Sequence, residues 1–288
     1  MAAATVARAA AESVSVLLLP AARARLVLVV DEGDRLPGST PMGGDLAGSL
    51  FVNGPQVRSC RLPRGFREVA AVVLAPCFGA WLAAAPGTSS GPALVPLGQL
   101  WLAGANEISR RLAAAGSPQQ RALALVDAVT ELVSGGAGAS VSSVARRAGD
   151  IIASARGDVS IANVARACRC SVRALHASLL AATGLAPKQL ARIARLRHAV
   201  DLIARGESLK TIASSAAFAD QSHMTREFRD MLGDPPSVFA RRLRPAGTQT
   251  LTFMAEGSAT ETELLLLADD FFPTKHPCNT FRAGASGG

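Results

Sequence analysis

Side chains that could hold a catalytic metal are few in this sequence, which has four histidines and five cysteines. A catalytic metal requires histidines clustered with carboxylates, and residues 1–175 contain no histidine. Cys168 and Cys170 form a single Cys-x-Cys pair. This pair is a weak metal signal, because Cys168 falls on an apolar position of a helical segment. We therefore expect no metal, no cofactor and no enzymatic activity.

Basic side chains are concentrated in one part of the chain. The whole sequence has a net charge of +8, whereas residues 146–245 hold 17 Lys and Arg against 8 Asp and Glu. Such a basic segment favours a polyanionic partner, and nucleic acid first, because each neutralised phosphate releases condensed counterions. An ordinary domain with a solvated basic face is the alternative that charge alone leaves open.

A helical pattern occurs twice within this basic segment. One helical stretch ends at Gly184 with Pro187 three residues later, and a second ends at Gly233 with Pro236 three residues later. Glycine stops followed by proline mark helix ends. The same 49-residue offset aligns Leu175 with Met224, Leu179 with Phe228 and Leu190 with Phe239. The sequence therefore predicts two copies of a small helical unit, as a double helix-turn-helix DNA reader would need.

The elements that would position these units follow from helix start signals and apolar spacing. A short helix over Ile161–Ala167 leads through a tight turn to Ser171, which is a good N-cap for the next helix. The corresponding helix of the second unit is expected to begin near Gln221. Between the units, an amphipathic helix is predicted over Pro187–Arg205. It would span about 28 Å, close to the roughly 34 Å between successive major-groove faces of DNA.

The region before the basic segment has a different pattern. Short β-rich runs at Leu26–Val30, Leu50–Val52 and Val69–Leu74 alternate with turn signals. Asn53-Gly54 is the sharpest of these signals and predicts a tight turn. From Leu97 onwards, apolar residues recur at helical spacing. These patterns predict an α+β fold, with a β-rich N-terminal region and linking helices followed by an all-α C-terminal region.

Composition divides the chain into four parts. Residues 1–133 form the expected N-terminal domain, and the small residues of 134–145 form a linker. The basic helical domain occupies residues 146–245. The tail, residues 246–288, lacks periodicity and is expected to be mostly disordered, although Thr262–Phe272 could form a short helix within it.

The sequence predicts neither a membrane span nor a secretion signal. The apolar run Val14–Val30 is interrupted by Pro20, Arg23 and Arg25, whereas a membrane-spanning helix needs about 20 apolar residues. There is no clean small-residue cleavage site before Pro20. The five cysteines form an odd set without a disulfide framework, as expected in a reducing compartment. The predicted location is the cytoplasm, without membrane attachment.

Residues 146–243 resemble the AraC/XylS family of bacterial transcriptional regulators. The more specific part is similar to that family's second helix-turn-helix and closing helix, and comprises Ile212-Ala213, Phe218–Arg226, Phe228, Gly233, Pro236 and Arg241. The first helix-turn-helix matches more loosely, through Val164-Ala165, Ser171, Arg173, Leu175, Gly184, Pro187, Arg192 and Arg195.

The chain departs from the family pattern at four positions. Arg169 and Ala217 stand at the two turns where the family usually has glycine. In the first reading helix, Ala177 and Leu179 replace the usual Arg and Phe. A non-glycine residue in a left-handed turn costs about 1 kcal/mol. The first unit is therefore expected to be less rigid or to bind DNA more weakly.

The resemblance implies that the second helix of each unit lies in the major groove and presents its N-terminal residues to base edges. These residues are Ser171, Val172, Arg173 and His176 in the first unit, and Gln221, Ser222, Thr225 and Arg226 in the second. Arg173 can donate two hydrogen bonds to guanine, and Gln221 can form hydrogen bonds with adenine or with a phosphate. The other basic candidates, expected to touch the DNA backbone, are Lys188, Arg192, Arg195 and Arg229. Any one of these residues could instead be a solvated surface residue.

The resemblance further implies a cupin-like β-rich sensor or dimerisation domain at the N-terminus. The expected function is sequence-specific binding of double-stranded promoter DNA and regulation of transcription, for example as an activator, although these residues do not distinguish activation from repression. RNA polymerase, an unidentified small-molecule effector and a second copy of the chain are candidate partners. Two alternatives stay open: a sequence-indifferent architectural DNA-binding protein, and a cupin-type enzyme fused to a DNA-binding domain.

Overall fold

The computed structural model of the chain describes residues 4–8, 15–31, 50–61, 66–74, 94–100, 102–134, 141–243 and 263–266. Up to residue 134 these ranges contain strands followed by helices, and residues 141–243 are helical throughout. The predicted change from a β-rich region with linking helices to an all-α region is therefore confirmed. Among the described helices, none combines the length and apolar character needed to cross a bilayer.

The strands form two sheets. In chain order they are β1 (Ala4–Arg8), β2 (Ser15–Leu18), β3 (Arg25–Asp31), β4 (Leu50–Asn53), β5 (Cys60–Arg61), β6 (Phe66–Val73), β7 (Leu94–Pro96) and β8 (Glu263–Leu266). The larger sheet is antiparallel and runs β1-β6-β3-β4-β7, and the smaller runs β5-β2-β8. Val27 and Leu28 of β3 are fully buried. Because neighbouring strand residues point to opposite faces, both faces of the central strand are covered.

The predicted short helix over Thr262–Phe272 is wrong, because residues 263–266 form strand β8. This strand pairs in parallel with β2, whose other edge pairs with β5. A leucine run can adopt either structure. The unpaired hydrogen-bonding edge of β2 decides between them by providing a ladder for the run to join. The rest of the predicted disordered tail lies outside the described residues.

The predicted tight turn at Asn53-Gly54 is also wrong. Strand β4 ends at Asn53, but the next strand, β5, pairs with β2 in the other sheet. The buried Asn53 side chain donates through Nδ2 to Oε1 of Gln56 at 3.0 Å. Gln56 also exchanges two backbone hydrogen bonds with Ala21, at 2.8 and 2.9 Å. Residues 54–59 therefore bridge the two sheets, because these buried partners outweigh the local turn preference.

Three linking helices complete the core of the N-terminal part. They are α1 (Leu97–Leu100), α2 (Leu102–Ala114) and α3 (Pro118–Ser134). Ile108, Leu112 and Leu125 form one buried cluster with Leu26 and Leu28 of β3. Because burying a side chain of this size contributes roughly 1.5–3 kcal/mol, this cluster holds the helices against the large sheet.

Seven helices occupy residues 141–243. They are α4 (Ser143–Ser154), α5 (Ile161–Ala167), α6 (Val172–Thr183), α7 (Pro187–Ala204), α8 (Leu209–Ser215), α9 (Gln221–Leu232) and α10 (Pro236–Leu243). The predicted bounds of α5 and the predicted starts of α7 and α9 are confirmed. Helices α6 and α9 end at Gly184 and Gly233, both left-handed as expected of glycine C-caps. Helix α7 ends one residue earlier than predicted, because Arg205 is its C-cap.

The connecting helix α7 is the centre of this part and packs against α4, α6, α8 and α10. The apolar face of this amphipathic helix is buried, and it comprises Leu190, Ile193, Leu196, Val200 and Ile203. Gly157, with φ +78°, lies directly against it, and a Cβ built there would be 2.1 Å from the Ala191 carbonyl oxygen. Helix α7 thus approaches the backbone at position 157 so closely that only a glycine fits there.

The N-terminal and C-terminal parts share one core. Leu17, Leu19 and Ala22 belong to the same buried cluster as the C-terminal helices, and Val57 packs against that cluster. Helix α4 begins at Ser143, ahead of the boundary predicted at residue 146. The four-part division of the chain remains a prediction, and its linker, residues 134–145, overlaps the end of α3 and the first turn of α4.

Candidate nucleic-acid interface

The first helical unit consists of α5, a tight turn and α6. Ser171 is the N-cap of α6, and its Oγ accepts a hydrogen bond from the Ala174 N–H at 3.1 Å. This bond satisfies one of the free N–H groups at the helix start. The opposite face of α6 is anchored by the fully buried Leu175 and Leu179. The predicted base-reading residues of this unit are all exposed: Ser171, Val172, Arg173 and His176.

The second unit, α8 and α9, has the same arrangement. Asp220 is the N-cap of α9, and its Oδ1 accepts from the His223 N–H at 2.6 Å. Met224 and Phe228 are fully buried. The Thr225 side chain is half-buried, and its Oγ1 donates to the Gln221 carbonyl oxygen at 2.9 Å. The other predicted contacts are exposed: Gln221, Ser222, Arg226 and Arg229.

The turns of the two units have matching backbone geometry. Arg169 and Ala217 both adopt the left-handed conformation, with φ of 54° and 53°. Behind each turn, a backbone N–H donates to a carbonyl five residues earlier at 3.0 Å, from Cys170 to Ala165 and from Phe218 to Ala213. The family pattern therefore identified both turns correctly. Each non-glycine residue costs roughly 1–2 kcal/mol in this conformation.

Arg192, a predicted DNA-backbone contact, is engaged inside the protein. Its Nε donates to Glu227 Oε2 at 2.8 Å, and its Nη2 donates to Asp230 Oδ2 at 2.7 Å. These bonds join α7 to α9. The hydrogen bond from Arg192, followed by one from Arg58, lowers the pKa of the Asp230 carboxyl. Lys188, one turn earlier on α7, is exposed.

Arg195 is also held by protein groups. Its Nη2 donates to the Gly157 carbonyl oxygen at 3.2 Å, and its guanidinium carbon lies 5.8 Å from the centroid of the Phe218 ring. A cation at this distance over an aromatic face is attracted to it. Arg195 thus links the connecting helix to both the α4–α5 turn and the second unit. Its role as a DNA contact remains a prediction.

Comparison with known proteins identifies this region. A sequence model described as a helix-turn-helix domain matches residues 164–242. These residues form an AraC-type helix-turn-helix domain. No curated protein matches the sequence of the chain.

The solved structures that match the chain include ToxT and a probable AraC family transcriptional regulator. ToxT from Vibrio cholerae O395 is 13% identical, covers 83% of this chain and 97% of its own, and has a TM-score of 0.46. Unsaturated fatty acid bound wild-type ToxT from Vibrio cholerae strain SCE256 is 12% identical, with coverage of 86% and 97% and a TM-score of 0.44. A probable AraC family transcriptional regulator from Rhodopseudomonas palustris CGA009 is 27% identical, with coverage of 36% and 100% and a TM-score of 0.33.

Sequence reasoning missed the contacts that the AraC-type domain makes with the N-terminal part. Arg58 Nη2 lies 2.8 Å from Asp230 Oδ1, and the Ser59 N–H donates to the Met231 carbonyl oxygen at 2.7 Å. That carbonyl lies in the last turn of α9, where backbone oxygens have no partner within the helix. No sequence signal could have found these contacts, because they join positions more than 170 residues apart outside any repeat.

The Cys168 thiol is poorly suited to thiolate chemistry. Burial raises the pKa of the Cys168 thiol, and the neighbouring Cys170 raises it further, although Arg147 lowers it. Cys168 packs against the core of the AraC-type domain. Within the described part of the chain, no three His, Cys, Asp or Glu residues are grouped so that they could hold a metal ion.

Proposed function

We propose that this DNA-binding transcriptional regulator recognises a specific sequence by reading two adjacent major-groove segments. The observation that carries the proposal is the matched pair of reading helices, each capped by a side chain and each exposing its first residues. The 18 residues of α7 span about 27 Å. This length is close to the roughly 34 Å of one DNA turn.

The two reading helices offer different chemistry to the DNA. Arg173 of α6 can donate two hydrogen bonds to guanine, and Gln221 of α9 can form two hydrogen bonds with adenine. Arg226 and Arg229 add positive charge along α9, and the exposed Lys188 can reach a phosphate. Because the two sets of side chains differ, we propose that the two half-sites differ in sequence.

We further propose that the N-terminal part senses a signal and passes it to the AraC-type domain. The shared core and the contacts of Arg58 and Ser59 with α9 support this proposal, because they connect the sheets directly to a reading helix. The signal could be a small-molecule effector, and the output could pass through dimerisation or RNA polymerase. We also propose that this protein is located in the cytoplasm and has no enzymatic activity.

Selection from a random pool of double-stranded DNA by the full chain, followed by footprinting of the enriched sequences, tests this function. We expect discrete sites with two unlike half-sites whose centres lie about 10 base pairs apart. Binding should weaken steeply with added salt, because residues 146–245 carry all of the excess positive charge of the chain. Uniform coverage without an enriched sequence would instead identify an architectural DNA-binding protein.

A further inference from the structure

The first reading helix carries an apolar side chain where the second carries an amide. Val172 is the first residue of α6 and is 50% exposed to solvent. At the 49-residue offset, the corresponding residue of α9 is Gln221. Among the side chains whose burial the structure describes, the other large apolar groups left exposed are Leu123 and Leu180.

The surroundings of Val172 match an exposed reading surface better than a core position. The preceding Ser171 uses its Oγ to cap α6, and the following Arg173 is exposed. Ala174 and Ala177, further along the helix, are exposed as well. No long side chain therefore stands on the surface of α6 at Ala177, where the second unit has Arg226.

The major groove offers one apolar group to such a side chain. Guanine, cytosine and adenine present hydrogen-bond donors and acceptors there, whereas thymine also presents its 5-methyl group. A branched aliphatic side chain at the start of a reading helix is complementary to that methyl group and to none of the polar patterns.

We propose that Val172 is a specificity-determining residue that contacts the 5-methyl group of a thymine in the half-site of the first unit. The contact removes the apolar surface of both groups from water, which is the source of the preference. This proposal rests on the proposed function, since it requires α6 to enter the major groove.

The test uses DNA from which only the methyl group has been removed. The full chain is first used to select its preferred site, and each thymine of the first half-site is then replaced singly by deoxyuridine. We expect one replacement to weaken binding about fourfold, the factor that corresponds to burying one methyl-sized group. Replacements in the second half-site should leave the effect of that critical deoxyuridine on binding unchanged.

Three variants assign that effect to a side chain. Val172→Ala should bind the natural site about fourfold more weakly and should lose the sensitivity to the same deoxyuridine. Leu180→Ala is the matched control, because Leu180 is also exposed on α6, at 46%, but lies about 12 Å further along the helix. It should keep that sensitivity, as should Gln221→Ala. Thermal melting of each variant verifies that these exposed changes leave the fold intact.

Several outcomes would overturn the proposal. It fails if the selected first half-site lacks thymine, if no single deoxyuridine weakens binding, or if Val172→Ala retains the full sensitivity. Loss of self-association rather than of DNA affinity in Val172→Ala would show that this face is a protein interface. If the full chain enriches no sequence at all, the proposed function fails as well, and this result is distinct from enrichment of a site without the methyl effect.

Discussion

At the scale of single residues, Arg173 and Arg195 differ in what surrounds their guanidinium groups. Arg173 is exposed at the start of α6, whereas Arg195 is bonded to Gly157 and lies over Phe218. Arg173→Ala should therefore lower discrimination at one or two base pairs by about 1–3 kcal/mol. Arg195→Ala should weaken binding to all sequences alike and also lower the melting temperature. Binding profiles over a panel of single base-pair changes measure the difference, and identical profiles for the two variants would reject it.

The left-handed residues at the two turns make a prediction about stability. Arg169→Gly and Ala217→Gly remove the steric cost of φ near +54° and +53°, but they add freedom to the unfolded chain. We expect each change to raise the free energy of unfolding by up to about 1 kcal/mol. Ala216→Gly is the control, because Ala216 has φ −96° and is buried, and this change should destabilise the protein. Urea titrations measure whether each change raises or lowers the free energy of unfolding. A decrease at both turns would contradict the view that Arg169 and Ala217 are strained.

His198 predicts how stability depends on pH. Its pKa is lowered from the ordinary value of 6.5, first by burial and then by the positive charges of Arg156 and Arg205. Because the folded protein takes up this proton less readily than the unfolded chain, the stability from neutral His198 is complete above about pH 6.5 and declines below it. His198→Gln should reduce the change in the urea midpoint of unfolding between pH 7 and pH 5. An unchanged pH slope would show that other groups dominate.

At the scale of secondary-structure elements, Gly157 determines how closely α7 packs on the turn after α4. A Cβ there would lie 2.1 Å from the Ala191 carbonyl oxygen and 2.8 Å from the backbone nitrogen of Arg195. We expect Gly157→Ala to lower the free energy of unfolding by about 2–4 kcal/mol, from the backbone conformation and overpacking together. Gly206→Ala is the matched control, because Gly206 has φ +83° with nothing within 4 Å of the added Cβ. Equal losses for both variants in denaturant titrations would show that the close approach contributes nothing.

At the scale of the whole molecule, the Ser59 N–H joins the sheets to the last turn of α9. Ser59→Pro removes this donor and should cost about 1–2 kcal/mol. It should also speed hydrogen exchange in the last turn of α9 and weaken binding to the second half-site. Ser59→Ala keeps the N–H and is the control. If both variants behave like the original protein, this contact does not couple the two parts.

The sequence by itself determined the repeated unit and its local geometry. The glycine stops at Gly184 and Gly233 and the N-cap at Ser171 follow from neighbouring residues, whereas the left-handed turns at Arg169 and Ala217 were expected from the family resemblance. Such features depend on hydrogen bonds and sterics within a few residues, so periodicity and spacing are enough to place them.

Only the tertiary structure decided features that depend on distant partners. Asn53-Gly54 forms no tight turn because its amide bonds to Gln56 while the chain crosses to another sheet. Residues 263–266 form a strand because β2 offers an edge. Arg192 meets Asp230 across two helices, and Arg58 reaches the same carboxylate from the N-terminal part. Local sequence carries no record of these partners, since the free energy of each contact depends on which groups the fold brings within a few ångströms.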